Sequence, residues 1–374
     1  MAEVAGRCDE RFAAVRDVFE HNLEQGVDLG ASFAVYVDGE PVVDIWGGHV
    51  DAERTTPWLE DTIVNVWSTT KMMTAMCALV LSDAGELDFH SRVVRYWPEF
   101  GVAQKRDVEV RHLMGHTSGL AGWTAPMSVE DLYDWEKATS LLAAEEPWWT
   151  PGTASGYHAL TQGYLVGEVV RRITGQRLGR FFAEQVADPL HADFSIGTPE
   201  QADSRVAQVV PPERLARISE DDAPMASRTL LNPLLSAETS WSLPWRRAEV
   251  PAANGHGNAR SVGAVLSVLA CGGEARGVRL LSAAACERVL EEQSDGRDLV
   301  LGVPIRFGMG FGLAGGLVSG GPRSCFWGGW GGSVAVVDLD TRTCAAFVMN
   351  KMGSGLLGDE RGASLVKAAF AAVA

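Results

Sequence analysis

Phe12, Val15, Val18, Phe19 and Leu23 recur close to helical spacing, so residues 10–25 are predicted to form an amphipathic helix. The period then changes. In SFAVYVDGEPVVDIWGG two β-rich runs flank Asp38-Gly39, the strongest short hairpin signal, and an antiparallel sheet is predicted to start at about residue 31. The apolar stretch from Ser68 to about Ala84 reads as helix again, ended by Gly85. Between residues 85 and 200 helical patterns alternate with Gly/Pro loops; LTQGYLVGEVVRRITG and LGRFFAEQVADPL are the clearest. Residues 199–259 are rich in Pro, Asp, Glu and Ser and read as a long irregular crossing, a kind of segment often used for function. ARSVGAVLSVLACGG is a helix with a glycine stop. RFGMGFGLAGG and SCFWGGWGGSVAVVDLDTRTCAAFVMN read as strands, and GASLVKAAFAAVA as a closing helix.

The order is helix and strands, a helical middle, then strands and a helix. A sheet built from both ends with a helical lobe inserted between them satisfies it. The predicted fold is α+β, a mainly antiparallel sheet flanked by helices. At 374 residues the chain exceeds an ordinary single core. The expected organisation is one domain of two lobes: an α/β lobe from residues 1–75 plus 250–374, and a mainly helical lobe from 76–249.

Charge narrows the partners. A net charge of −16 leaves little to neutralise phosphates, so nucleic acid is not expected. The start, MAEVAGRCDERF, lacks the basic and apolar regions of a signal peptide, and MMTAMCALVL is far short of a membrane span. A cytoplasmic protein is expected. The six cysteines form no C-x-x-C pair and are expected to be reduced thiols, not a zinc site. Tryptophan is in surplus at twelve, and Trp123, Trp148, Trp149, Trp241, Trp245, Trp327 and Trp330 fall in loop-like segments. Packing accounts for most; a concave apolar pocket would also be lined this way.

Ser68 and Lys71 are three positions apart at the mouth of an apolar helix, so Ser68 Oγ and Lys71 Nζ can meet. A serine hydroxyl is a weak nucleophile until a base takes its proton. Lysine can be that base if burial lowers its pKa, and Val66, Trp67, Met72 and Met73 offer such burial. The free N–H groups of the helix start favour negative charge beside Ser68. A second S-x-x-K, Ser364–Lys367, sits in the closing helix, where Lys367 is expected to face solvent. GGSVA at 331–335 is the nearest approach to G-x-S-x-G and reads as a strand start.

WSTTKMMTA, VRHLMGHTSGL, PGTASGYHALTQGYLVGEVV, NGHGNARSVGAVLSVLACGG and FWGGWGGSVAVVDLDTRTCAAFVMN occur in that order. Together they resemble the serine β-lactamase-like superfamily, in its branch of class C β-lactamases and family VIII carboxylesterases, over roughly residues 25–370. The resemblance implies a β-lactamase/penicillin-binding-protein-like fold, with Ser68 and Lys71 as its S-x-x-K pair. Tyr157-His158-Ala159 takes the place of the family's Tyr-x-Asn element, whose tyrosine carries the serine proton to the leaving group; a nearby ammonium would lower such a phenol's pKa. Trp327-Gly328-Gly329 replaces Lys-Thr-Gly, as in the esterase branch, with glycines that let substrate approach the backbone. The backbone N–H groups of Ser68 and Trp330 would then form the oxyanion hole. WGGWGG leaves a fallback register at Gly332–Ser333. Trp123 is expected to line an acyl pocket, with structural roles for His116 and His256.

The departures point one way. A lactamase lysine would hold a substrate carboxylate, whereas Trp327 at the pocket rim cannot, and Ala159 lacks the amide that holds a lactam side chain. The expected activity is a serine carboxylesterase for small to medium acyl groups, working without metal or organic cofactor on a small-molecule ester. A weak β-lactamase or amidase, an acyltransferase or peptide-cyclising enzyme, and a non-catalytic acyl- or β-lactam-binding protein remain alternatives. The sequence does not give the oligomeric state.

Overall fold

The computed structural model describes residues 4–212, 223–315 and 320–373. Part of the predicted crossing, 213–222, and the last glycine of RFGMGFGLAGG lie outside them. One antiparallel sheet of nine strands dominates. Across it run Val4–Cys8, Glu40–Gly48, Gly30–Val37, Thr343–Met349, Val334–Asp338, Ser324–Gly328, Gly312–Leu313, Pro304–Phe307 and Ser294–Arg297. Every neighbouring pair is antiparallel. The two ends of the chain meet at its centre, where Phe33 faces Phe347 and Ala34 faces Ala346. Both central strands are apolar without alternation because both sheet faces are covered. Gly263 of the helix Ala259–Ala270 packs on Ala34 and Tyr36, whereas Gly362 of the closing helix Glu360–Val373 packs on Val334 and Phe347, which belong to the opposite face.

The hairpin turns at Asp38 and Gly39, with φ of 51° and 82°, the pair of left-handed residues a two-residue turn requires. The helix Ala13–Glu24 buries Val15, Phe19 and Leu23 as its spacing predicts. Sequence patterning gave no sign of the edge strand Val4–Cys8, three of whose five residues are exposed. The helical middle packs Thr161–Thr174 against Thr70–Asp83, Val110–Met114 and Trp135–Ala144. Gly175, at φ 71°, ends Thr161–Thr174.

The crossing is more ordered than its composition suggests. It carries the helices Pro224–Leu230 and Leu243–Arg247, then Gly255–Gly257, which joins a three-stranded sheet with Val64–Asn65 and Phe194–Ile196. That small sheet leads directly into Ser68. All six cysteines are unpaired thiols. No described helix is long and apolar enough to cross a membrane.

Candidate active site

Ser68 lies in a single 3-10 turn, Trp67–Thr69, which runs into the helix Thr70–Asp83. The turn is held from both sides. Val66 N–H donates to Gly255 O at 2.9 Å, and Thr70 Oγ1 donates to Trp67 O at 2.6 Å. Trp67 has φ of 49°, a region bulky residues avoid. Its ring packs against Trp245 and Trp330, with centroids 5.7 and 5.0 Å away, which fixes this unfavourable backbone just before Ser68.

Lys71 Nζ meets three oxygens: Ser68 Oγ at 3.1 Å, Ala159 O at 2.7 Å and Ala252 O at 2.9 Å. Burial holds its pKa well below that of a free lysine. A neutral amine has two N–H groups and one lone pair. Two carbonyls take the N–H groups, so the lone pair is left for the Ser68 hydroxyl. The segment 251–255 supplies this environment by lying along the helix start, where Thr74 Oγ1 also donates to Pro251 O at 2.6 Å.

Tyr157 Oη lies 2.6 Å from Ser68 Oγ, and Lys71 Nζ lies 4.8 Å from the centre of its ring. Burial raises the phenol pKa, and contacts from Ser68 and Trp327 offset only part of that. The expected lowering by an ammonium does not occur, because the same burial disfavours the charged lysine. Burial therefore favours the neutral form of the Tyr157 phenol. The Trp327 indole N–H has no partner at hydrogen-bond geometry, so its pull on the phenol is a loose one. Tyr157 is positioned through its backbone: its N–H donates to Asp298 Oδ1 at 3.0 Å, and the same oxygen accepts from Val300 and Leu301. Nothing in the local sequence marks Asp298.

Two tryptophans expected in the substrate pocket are elsewhere. Trp327 is 1% exposed and packs among His116, Tyr157 and Phe307, because its strand is an inner one covered on both faces. Trp123 is buried in the helical region against Tyr164, with its indole donating to Ala138 O. Gly328 and Gly329 are also absent from the cavity lining. They serve backbone packing instead. A Cβ on Gly329 would stand 2.4 Å from Val66 O and 3.3 Å from Ser68 N, and one on Gly328 would strike the backbone at Leu357 and Gly358.

That packing places Gly329–Trp330 against the Ser68 turn. Gly329 N–H donates to Ser333 O and Gly331 N–H to Gly355 O, whereas Trp330 N–H has no acceptor among the described residues. The fallback stretch Gly332–Ser333 does something else. Ser333 Oγ donates to Val66 O at 2.8 Å and lies 3.0 Å from Thr69 Oγ1, so one side chain ties the glycine loop to the Ser68 turn. Sequence reasoning missed this clamp, having treated GGSVA as the start of a strand.

His116 forms no triad. Its Nδ1 accepts the His158 N–H at 3.1 Å, and its ring supports Tyr157 and Trp327. His158 bonds Gly156 O through Nδ1 and Ser118 Oγ through Nε2, and burial pushes its pKa down to about 4. His256, likewise pushed down to about 4, bonds Asn254 O. In the second S-x-x-K, Ser364 Oγ donates to Arg361 O and Lys367 is exposed.

Above Ser68 opens a cavity of about 210 Å³. Trp67, Tyr157, Ala159 and Trp330 line it with a run of leucines, and among the described residues its lining holds no lysine or arginine.

Known proteins carry the same architecture. The chain is 34% identical over 369 residues to the esterase/beta-lactamase LipL of Mycobacterium tuberculosis, covering 95% of this chain and 84% of LipL. A family VIII carboxylesterase crystal structure superposes with a TM-score of 0.94 at 41% identity, covering 99% of this chain and all of that one. A penicillin-binding protein homologue from Caulobacter crescentus does so at 0.94 and 37%, with 99% and 100% covered. The Beta-lactamase family matches residues 15–369, and the chain belongs to that family.

Proposed function

We propose that this protein is a serine carboxylesterase that cleaves esters of small to medium apolar acyl groups through an acyl-enzyme on Ser68. The observation that carries this is the position of Ser68 Oγ, 3.1 Å from Lys71 Nζ and 2.6 Å from Tyr157 Oη, beneath a cavity that no lysine or arginine among the described residues lines. Neutral Lys71 takes the Ser68 proton as Oγ attacks the ester carbonyl. The backbone N–H groups of Ser68 and Trp330 hold the oxyanion. The C–O bond to the alcohol breaks as Tyr157 donates its proton to the alkoxide, and Lys71 reprotonates Tyr157. Water then attacks the acyl-enzyme by the same route and releases the acid.

The esterase names among the relatives support this class. A lining with no lysine or arginine among the described residues favours neutral esters over anionic lactams, a role first expected of Trp327. The test is a panel of p-nitrophenyl esters and nitrocefin with wild type and Ser68→Ala, followed by intact-protein mass spectrometry. Ester turnover with a transient acyl adduct on Ser68 is expected. A stable adduct without turnover would make the protein a binder, and turnover surviving in Ser68→Ala would reject the mechanism.

A further inference from the structure

We propose that residues 230–235 form a specificity strip that selects esters with a medium-length apolar chain, which lies along Leu231 and Leu234 as it leaves the cavity. This rests on the reading of Ser68 as the nucleophile. Five of the six residues, Leu230, Leu231, Pro233, Leu234 and Leu235, line the cavity. The sixth, Asn232, is the only polar one, and it is turned away. Its Nδ2 donates to Trp123 O at 2.7 Å and Ala125 O at 2.9 Å, and its Oδ1 accepts from Met127 N–H at 2.7 Å. Asn232 therefore fastens the strip to the helical region and leaves only apolar groups facing the cavity. A second fastening lies just upstream, where the Arg228 guanidinium stands 3.8 Å above the Trp148 ring.

The wall does not stop at the mouth. Leu231 is 36% exposed and Leu234 66% exposed although both line the cavity. An apolar track thus runs from Ser68 out to solvent. A two-carbon group leaves its outer part in water. A longer chain covers it, and each methylene withdrawn from water is worth about fourfold in kcat/KM. A polar or charged chain gains nothing there, because the strip's one amide is already committed.

The experiment compares wild type with the Leu231→Ser/Leu234→Ser double variant. One series runs from p-nitrophenyl acetate to octanoate, the other from butyl to octyl acetate; the series in which kcat/KM climbs tells whether the chain belongs to the acyl or the alcohol side. In wild type, kcat/KM should climb at least about tenfold along that series. In the variant the longest substrate should lose at least about tenfold and the shortest stay within about twofold. Identical chain-length profiles in the two proteins would overturn the proposal, as would equal losses on short and long substrates. Binding of 1-octanol against 1-butanol to Ser68→Ala, with and without the two leucine substitutions, reads the strip without chemistry. An octanol preference that vanishes with the leucines, in a protein that never turned over esters, would retain the strip and reject the nucleophile.

Discussion

At the floor of the cavity Lys71 Nζ meets three oxygens within 3.1 Å, and Ser68, Tyr157, Thr69, Thr70, Thr74 and Ser333 each make side-chain hydrogen bonds. The wall at 230–235 meets the same cavity with leucines and a proline, and keeps its one amide bonded elsewhere. The floor is buried, whereas the wall ends in half-open leucines. A reacting oxygen must be placed to a fraction of an ångström, so the floor fixes each polar atom with directional bonds. An apolar chain needs only a dry surface of the right extent, and non-directional burial supplies that. Substitutions in the floor should therefore damage chemistry on every substrate, whereas those in the wall should redistribute preference.

The largest effect belongs to Ser68. Ser68→Ala should lose fluorophosphonate labelling and at least about 10⁴-fold in ester kcat/KM. Labelling that persists and maps to Ser333 or Ser364 would break the division at its root. Lys71→Ala should lose a similar amount, and the double variant little more, because the pair acts as one unit. Lys71 must be neutral to accept a proton, so kcat/KM should rise with pH through the pKa of Lys71. Burial lowers that pKa, which puts the midpoint well below 10.5. An acid limb centred at the free-lysine value would contradict a buried neutral base. Burial raises the phenol pKa of Tyr157, so no alkaline fall from this residue is expected below about 10, the free-phenol value.

Tyr157→Phe keeps the ring and removes the hydroxyl. It should cost roughly 10²–10⁴ in kcat with the melting temperature nearly unchanged. A variant with wild-type kcat would assign Tyr157 to packing, alongside His116. Ser333→Ala tests the clamp between the turn and the glycine loop. If Ser333 positions the oxyanion donors, kcat should fall by about 10² while KM for a short ester holds. A rise in KM alone, or a lower melting point with intact kcat, would show the clamp to be structural.

The floor was also the legible half. Ser68, Lys71 and Tyr157 sit in short motifs, and the structure brings their side chains together; the proposed chemistry would need fixed residue types at such local spacings. The central strands could be read from their unbroken apolar runs, and the hairpin from Asp38-Gly39. Asp298, and the clamping role of Ser333, were invisible for the opposite reason. Each acts on backbone far away in sequence, Asp298 at Tyr157 and Ser333 at Val66, and no local pattern encodes such a partner. The edge strand Val4–Cys8 was missed because three of its five residues face solvent. Trp327 and Trp123 misled because a tryptophan in an irregular stretch reads equally as pocket or core; here both are core. The wall lay within a segment that composition described only as a crossing.

The smallest predicted effect tests how the two regions share selectivity. Trp327→Lys would bury an unpaired charge behind Tyr157 and would not reach a substrate. Ser354 is the better position, because it lines the cavity and is exposed at its mouth. Wild type should prefer a short p-nitrophenyl ester to nitrocefin by at least about 10² in kcat/KM, since no lysine or arginine among the described lining residues meets the lactam carboxylate. A charge-assisted hydrogen bond is worth about 1.5–3 kcal/mol, and solvent at an exposed position reduces it toward the lower figure. Ser354→Lys should therefore narrow the gap by about tenfold, through improved nitrocefin kcat/KM with the ester nearly unchanged. A gap that stays put would place lactam discrimination in the floor, at the Ala159 position, and leave the wall to select apolar chains alone.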